Sequence, residues 1–129
     1  MTELTGGCFC GKVRYRVEGP VLQANHCHCE SCRRATSSPV TSFFTVRERD
    51  AEVSGASLAS YQSSPGHTRG FCSHCGAPIS YRSDNRPGEL DLYLMTLDDP
   101  ALVTVTGHDH WEERVPWLTV VDDLERREG

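Results

Sequence analysis

Two short cysteine pairs, far apart in the chain, constrain this sequence more than any other feature. Cys8-Phe9-Cys10-Gly11 and Cys72-Ser73-His74-Cys75-Gly76 stand about sixty residues apart, and a glycine follows each pair. Glycine permits a positive φ, so the backbone can turn there and aim N–H groups at sulfur. Together the pairs offer four thiolates, a complete set for a structural zinc ion. An ion held by both would close a long loop and fasten segments distant in sequence. Buried free cysteines and an iron–sulfur cluster are the alternatives, and the spacing fits zinc at least as well.

The chain has seven cysteines, so three remain. Cys27, Cys29 and Cys32 lie in N-H-C-H-C-E-S-C-R-R, from Asn25 to Arg34. The pattern C-x-C-x-x-C lets a tight turn bring three thiolates to one ion. Three protein ligands leave a fourth corner open, which is the arrangement of catalytic zinc. The alternative is a second structural zinc completed by histidine. His26 and His28 adjoin the ligands and would coordinate with strain, whereas His108 and His110 are remote but could reach. The expectation is two zinc ions per chain. His28, between two ligands, is the candidate catalytic proton carrier, because imidazole titrates near pH 6.5. A supporting or solvated histidine is its plainer reading. Arg33 and Arg34 are candidate substrate-binding residues for an anionic ligand, against a solvated helical face. Trp111 and Trp117 read as core, and His74 as exposed.

A length of 129 residues suits a single domain, taken as 1–129 with a frayed tail at about 122–129. The hydrophobic share is 37%, so metal cross-links would add needed stability. The net charge is −5 before the thiolates are counted. Zinc with four thiolates adds about −2 and zinc with three about −1. An acidic protein of this kind is not built for nucleic acid. No apolar run is long enough to span a bilayer, and Met1–Gly7 lacks the basic and apolar regions of a signal peptide. The chain therefore reads as cytoplasmic, where thiols stay reduced.

Short strands dominate the rest. Lys12–Val17 alternates, with Val13, Tyr15 and Val17 inward. Val21–Ala24, Val40–Val46, Glu52-Val53, Leu58–Tyr61, Pro78–Tyr81, Leu90–Leu97, Val103–His110 and Trp117–Val121 are the other strand candidates. Glu30–Thr36 predicts one or two helical turns. Gly and Pro punctuate the chain throughout, and no long amphipathic helix occurs. The class is mostly β, built of short strands.

Several segments together resemble the glutathione-dependent formaldehyde-activating enzyme family, which also includes centromere protein V. They are G-G-C-F-C-G-K-V-R-Y at Gly6–Tyr15, C-H-C-E-S-C-R-R-A-T at Cys27–Thr36, F-C-S-H-C-G at Phe71–Gly76 and L-D-D-P at Leu97–Pro100. A later H-x-H-W and P-W-L are of the same kind. The resemblance implies a β-tent of short antiparallel strands pinned by zinc. It implies that Cys8, Cys10, Cys72 and Cys75 bind the structural ion, and Cys27, Cys29 and Cys32 a second, catalytic one. The implied activity is that of a carbon–sulfur lyase forming or cleaving S-hydroxymethylglutathione from glutathione and formaldehyde. Arg33 or Arg34 would then hold a glutathione carboxylate. A non-catalytic zinc module that binds a protein partner is the alternative. Family members commonly carry glycine where this chain has Ser37, and a side chain there is expected to alter access to the triad metal.

Overall fold

The computed structural model describes residues 3–129. Met1 and Thr2 open both the stretch read for a targeting signal and the domain taken as 1–129, and they lie outside the described residues. The strands are β1 (Glu3–Gly7), β2 (Arg14–Glu18), β3 (Gln23–Cys27), β4 (Thr41–Arg47), β5 (Ala51–Ser54), β6 (Leu58–Ser64), β7 (His67–Cys72), β8 (Pro78–Ser83), β9 (Glu89–Tyr93), β10 (Gly107–Asp109) and β11 (Glu125–Arg126). One helix, α1 (Glu30–Thr36), and a few 3-10 turns complete the described elements. The fold is mostly β, as expected. No helix among the described residues is long and apolar enough to cross a membrane.

The strands form two sheets. The smaller has the order β1-β2-β5, and the larger β11-β10-β3-β4-β9-β8-β7-β6. Residue alternation assigns the two faces of the larger sheet different work. Ala24, Phe44, Val46, Ile79, Leu90 and Leu92 pack with Leu4, Val13, Tyr15 and Val17 of the smaller sheet, and this is the main core. The opposite face presents the intervening residues. Phe43 and Tyr93 lie there with Cys32, and Cys27, Cys29 and Tyr81 pack against them. The face turned away from the core therefore carries the chemistry.

Four expectations change in the structure. Trp117–Val121 forms no strand, and Trp117 is 71% exposed rather than core. Residues 122–129 are not left as a loose tail, because β11 pairs with β10. Antiparallel pairing is not universal, since β10 runs parallel to both β3 and β11. The long return from β9 through two 3-10 turns brings the chain back to the same end of the sheet, which allows this. Leu90–Leu97 is a strand only to Tyr93, and a 3-10 turn at Leu94–Thr96 buries Leu94 while leaving Met95 exposed.

Candidate functional site

The two knuckles meet. The Sγ atoms of Cys8, Cys10, Cys72 and Cys75 all lie within 4.8 Å of one another. Gly11 and Gly76 adopt the positive φ expected of them, at 83° and 80°. Each knuckle also turns a backbone N–H onto sulfur, from Val13 to Cys8 at 3.2 Å and from Cys75 to Cys72 at 3.5 Å. The Ser57 hydroxyl at 3.3 Å, with the backbone N–H groups of Cys75 and His74, brings the Cys72 thiol down to about 6, against its burial. Four converging sulfurs, two of them held by backbone donors that favour thiolate, fit a metal ion of thiophilic character.

The triad is assembled from a strand end and a helix start. Cys27 is the last residue of β3. Cys29 is the N-cap of α1, its sulfur accepting from the Cys32 N–H at 3.3 Å. One helical turn then sets Cys32 beside it. The three sulfurs also lie within 4.8 Å of one another, and no histidine among the described residues joins them at that distance. Hydrogen bonds from Cys27 and then Cys32 hold the Cys29 thiol down at about 2. Cys29, Cys32 and burial push the Cys27 thiol far up. Three thiols this close cannot all carry charge unaided, and a cation among them would let all three ionise. This donor set too fits a metal ion.

A cavity of about 370 Å³ opens on the triad. Alternate residues of successive strands line it: Gln23, Asn25 and Cys27 from β3, Phe43 from β4, Asp91 from β9, Tyr81 and Ser83 from β8, and Arg69 from β7. Ser31, Asn85, Arg86, Asp109 and His110 complete the wall. Asp91 is buried and fully partnered, by both ends of the Arg86 guanidinium (2.6 and 3.1 Å) and by the Thr45 hydroxyl at 2.6 Å. Asp109 accepts from the Asn25 amide and from Arg127 at 2.7 Å. Arg69, only 3% exposed, reaches Tyr93 Oη at 2.8 Å, Ser31 Oγ at 2.9 Å and Cys32 Sγ at 3.8 Å. Its guanidinium also lies 4.8 Å above the Tyr81 ring. A wider groove, about 610 Å³, runs past Phe9 and Met95, and its one carboxylate, Asp98, is already paired with Arg14 at 2.5 Å.

The candidate catalytic and substrate-binding residues taken from the sequence, His28, Arg33 and Arg34, are not on this wall, whereas His110, one of the two remote histidines, is. His28 is 1% exposed, and its Nε2 bonds His108 Nδ1 at 2.8 Å. His108 Nε2 in turn meets Asp122 at 3.0 Å. Trp111 stands edge-on to both imidazoles. Burial first, then neighbouring His108, push His28 down to about 4, and its Nδ1 has no partner among the described residues. His28 is thus packed behind the triad rather than facing the cavity. Arg33 is half-buried and donates to the His28 carbonyl at 3.2 Å, while Arg34 is exposed and paired with Glu30 at 2.9 Å. Ser37 is not on the wall either. It caps the C-terminus of α1 in the left-handed region (φ 55°, ψ 39°), which is why glycine suits that position. Arg69, Arg86, Tyr81 and His110 take the wall instead. Their common signal is an inward polar residue in or beside a strand, readable only once pairing is known.

A model of the glutathione-dependent formaldehyde-activating enzyme family matches residues 3–113. The chain belongs to that family. Both cysteine clusters and the wall residues from Gln23 to His110 fall within the matched family segment. Among its relatives is an uncharacterized lyase of Schizosaccharomyces pombe, 31% identical over 98 residues, or 73% of this chain and 69% of that protein. A crystal structure of a Rhodobacter sphaeroides protein superposes with a TM-score of 0.64 at 28% identity, covering 78% of this chain and 96% of the other. Membership of the formaldehyde-activating family and the lyase relative together support a lyase-type function.

Proposed function

We propose that the three-cysteine cluster is a zinc centre at which this chain makes and breaks the carbon–sulfur bond of a thiol–aldehyde adduct. Glutathione and formaldehyde are the substrates to which the family name points. The second zinc belongs to the Cys8, Cys10, Cys72 and Cys75 cluster and is structural. The observation that carries this reading is the triad's setting: three sulfurs, with no histidine among the described residues clustered with them, on the wall of a polar cavity. We assign the protein to a reducing compartment such as the cytoplasm, where its own thiols and its substrate's stay free.

Zinc bound by three thiolates would hold a substrate sulfur as thiolate and leave it nucleophilic. The protein's side chains supply the rest. In the forming direction the sulfur adds to the aldehyde carbon, and the carbonyl π pair moves onto oxygen. That oxygen takes one proton, which balances the one the thiol gave up. We assign the proton transfer to His110, which lines the cavity with Nδ1 turned to Glu113 at 3.3 Å. Asn85 and Arg86, the latter shared with Asp91, line the wall along which a carboxylate-bearing thiol would extend. They replace Arg33 and Arg34, and His110 replaces His28, because only residues on the wall can touch substrate. Cleavage is the same sequence reversed.

The test is exchange spectroscopy on ¹³C-formaldehyde with glutathione. Zinc-loaded protein should speed the exchange between free aldehyde and adduct, and Cys32→Ser should not. A protein that holds two zinc ions yet leaves the exchange rate unchanged would refute the lyase reading and favour the non-catalytic module.

A further inference from the structure

Arg69 is the odd charge in this molecule. Other arginines that contact the cavity residues have carboxylate partners, Arg86 with Asp91 and Arg127 with Asp109. Arg69 has none within salt-bridge distance among the described residues. Its fixed hydrogen bonds go to two neutral hydroxyls, Tyr93 and Ser31, and its Nε has no partner among the described residues. A buried cation without an anion is costly, so a structure that retains one ordinarily supplies the countercharge nearby. The candidates are few. The Tyr93 phenol is nearest, but burial pushes it up to about 12 and keeps it neutral, so the nearest source of negative charge is the triad, reached at Cys32 Sγ, 3.8 Å away. Three thiolates around a dication sum to −1.

We propose that Arg69 is the counter-ion of the three-cysteine centre and makes its open position selective for an anionic sulfur. The inference rests on the zinc reading above and adds a reason why that position takes thiolate. A fourth thiolate would raise the negative charge of the centre to about −2, which is hard to sustain in a buried site. Arg69 cancels one unit of it without occupying a coordination position. It is held for this from three sides: Tyr93 on β9, Ser31 in the first turn of α1, and the Tyr81 ring beneath it. Arginine suits the role because it stays protonated while buried and cannot itself become a ligand. Arg69 therefore sets which ligand enters, and the side chains that touch carbon and oxygen remain a separate matter.

The experiment uses full-length protein loaded with cobalt(II), whose sulfur-to-metal charge-transfer band grows with each added thiolate. Glutathione and 2-mercaptoethanol are titrated as probes, since both bring a thiol and only the first brings carboxylates. In wild type both should raise the band. In Arg69→Gln, which keeps hydrogen bonding but loses the charge, both should bind at least tenfold more weakly; a unit charge about 4 Å away at a partly buried site can carry considerably more than that. Arg69→Lys, which restores charge without the fork, should recover most of the affinity. No spectral response in wild type would sink the open-centre reading and this proposal with it. A wild-type response that persists undiminished in Arg69→Gln would overturn the proposal alone. Weakened binding of glutathione with 2-mercaptoethanol unaffected would also overturn it, by making Arg69 a carboxylate reader. If Arg69→Gln does not fold, azide and imidazole are compared on the wild-type cobalt protein: preference for the anion supports the proposal, and preference for imidazole refutes it.

Discussion

Ser37→Gly should stabilise this protein. Ser37 closes α1 with φ 55° and ψ 39°, and its N–H completes the last turn onto the Arg33 carbonyl. A left-handed residue other than glycine costs about 1–2 kcal/mol, because Cβ crowds the following carbonyl. Glycine removes that strain but gives the unfolded chain more freedom, worth about 0.4–1 kcal/mol in the other direction. The residue is exposed, so no packing is lost. The net gain should be about 0.5–1 kcal/mol, or roughly 2–4 °C in melting temperature for a chain this size. Circular dichroism melts at fixed excess zinc would measure it. Ala35→Gly is the matched control: it sits within α1, gains nothing from left-handed freedom, and should lose about 1 kcal/mol. A melting temperature unchanged or lowered by Ser37→Gly would refute the strain argument. Thiol binding should be the same in both, since neither residue lines the triad cavity.

Three further outcomes are expected. Cys72→Ser should abolish folding, since an ion joining both knuckles contributes on the order of 10 kcal/mol in small zinc modules and whole domains are stable by about 5–15; Cys32→Ser should stay folded with one zinc, as metal analysis and circular dichroism would show. His110→Ala should lower the turnover number by about a hundredfold or more while leaving metal content intact, and unchanged turnover would remove it from proton transfer. Arg14, then Thr5, hold the Asp98 carboxyl at about 2, below its ordinary 3.8, so its stabilising contribution is complete above about pH 4 and disappears as pH falls toward 2. Compared with Asp98→Asn, the wild-type advantage in melting temperature should therefore be present at pH 5 and shrink at each lower step.

Much of the cysteine clustering was legible because it is local. A C-x-C or C-x-x-C pair names its own neighbours, and the glycine after each knuckle announces the turn it needs. The same holds for β2 and the residue before it, where Val13, Tyr15 and Val17 point inward as alternation requires. What escaped were residues whose meaning depends on a distant partner. Arg69 reads as a surface residue until Tyr93 and Ser31, from other elements, bury it. Asp91 does so until Arg86 and Thr45 neutralise it. His28 misled for a geometric reason. Neighbours in an extended chain point to opposite sides, so a residue flanked by two converging cysteines is carried away from the point where their sulfurs meet. Trp117 misled through composition alone, as a large apolar residue with no strand to pair beside it.

The closure of the triad wall by β10, with β11 paired along its far edge, has a consequence for how this protein comes into being. β3 and α1 are complete in the chain by residue 36, yet the neighbour of β3 on one side does not exist until residues 107–109 are made. Asp122, which receives His108, and Arg127, which holds Asp109 and whose carbonyl accepts the Trp111 N–H, come later still. They lie past residue 113, where the family match stops. On the ribosome the three cysteines therefore emerge early and wait, half-walled, for nearly the whole remaining chain. A fragment trimmed to the matched segment would keep all seven cysteines and lose the latch that shuts behind them.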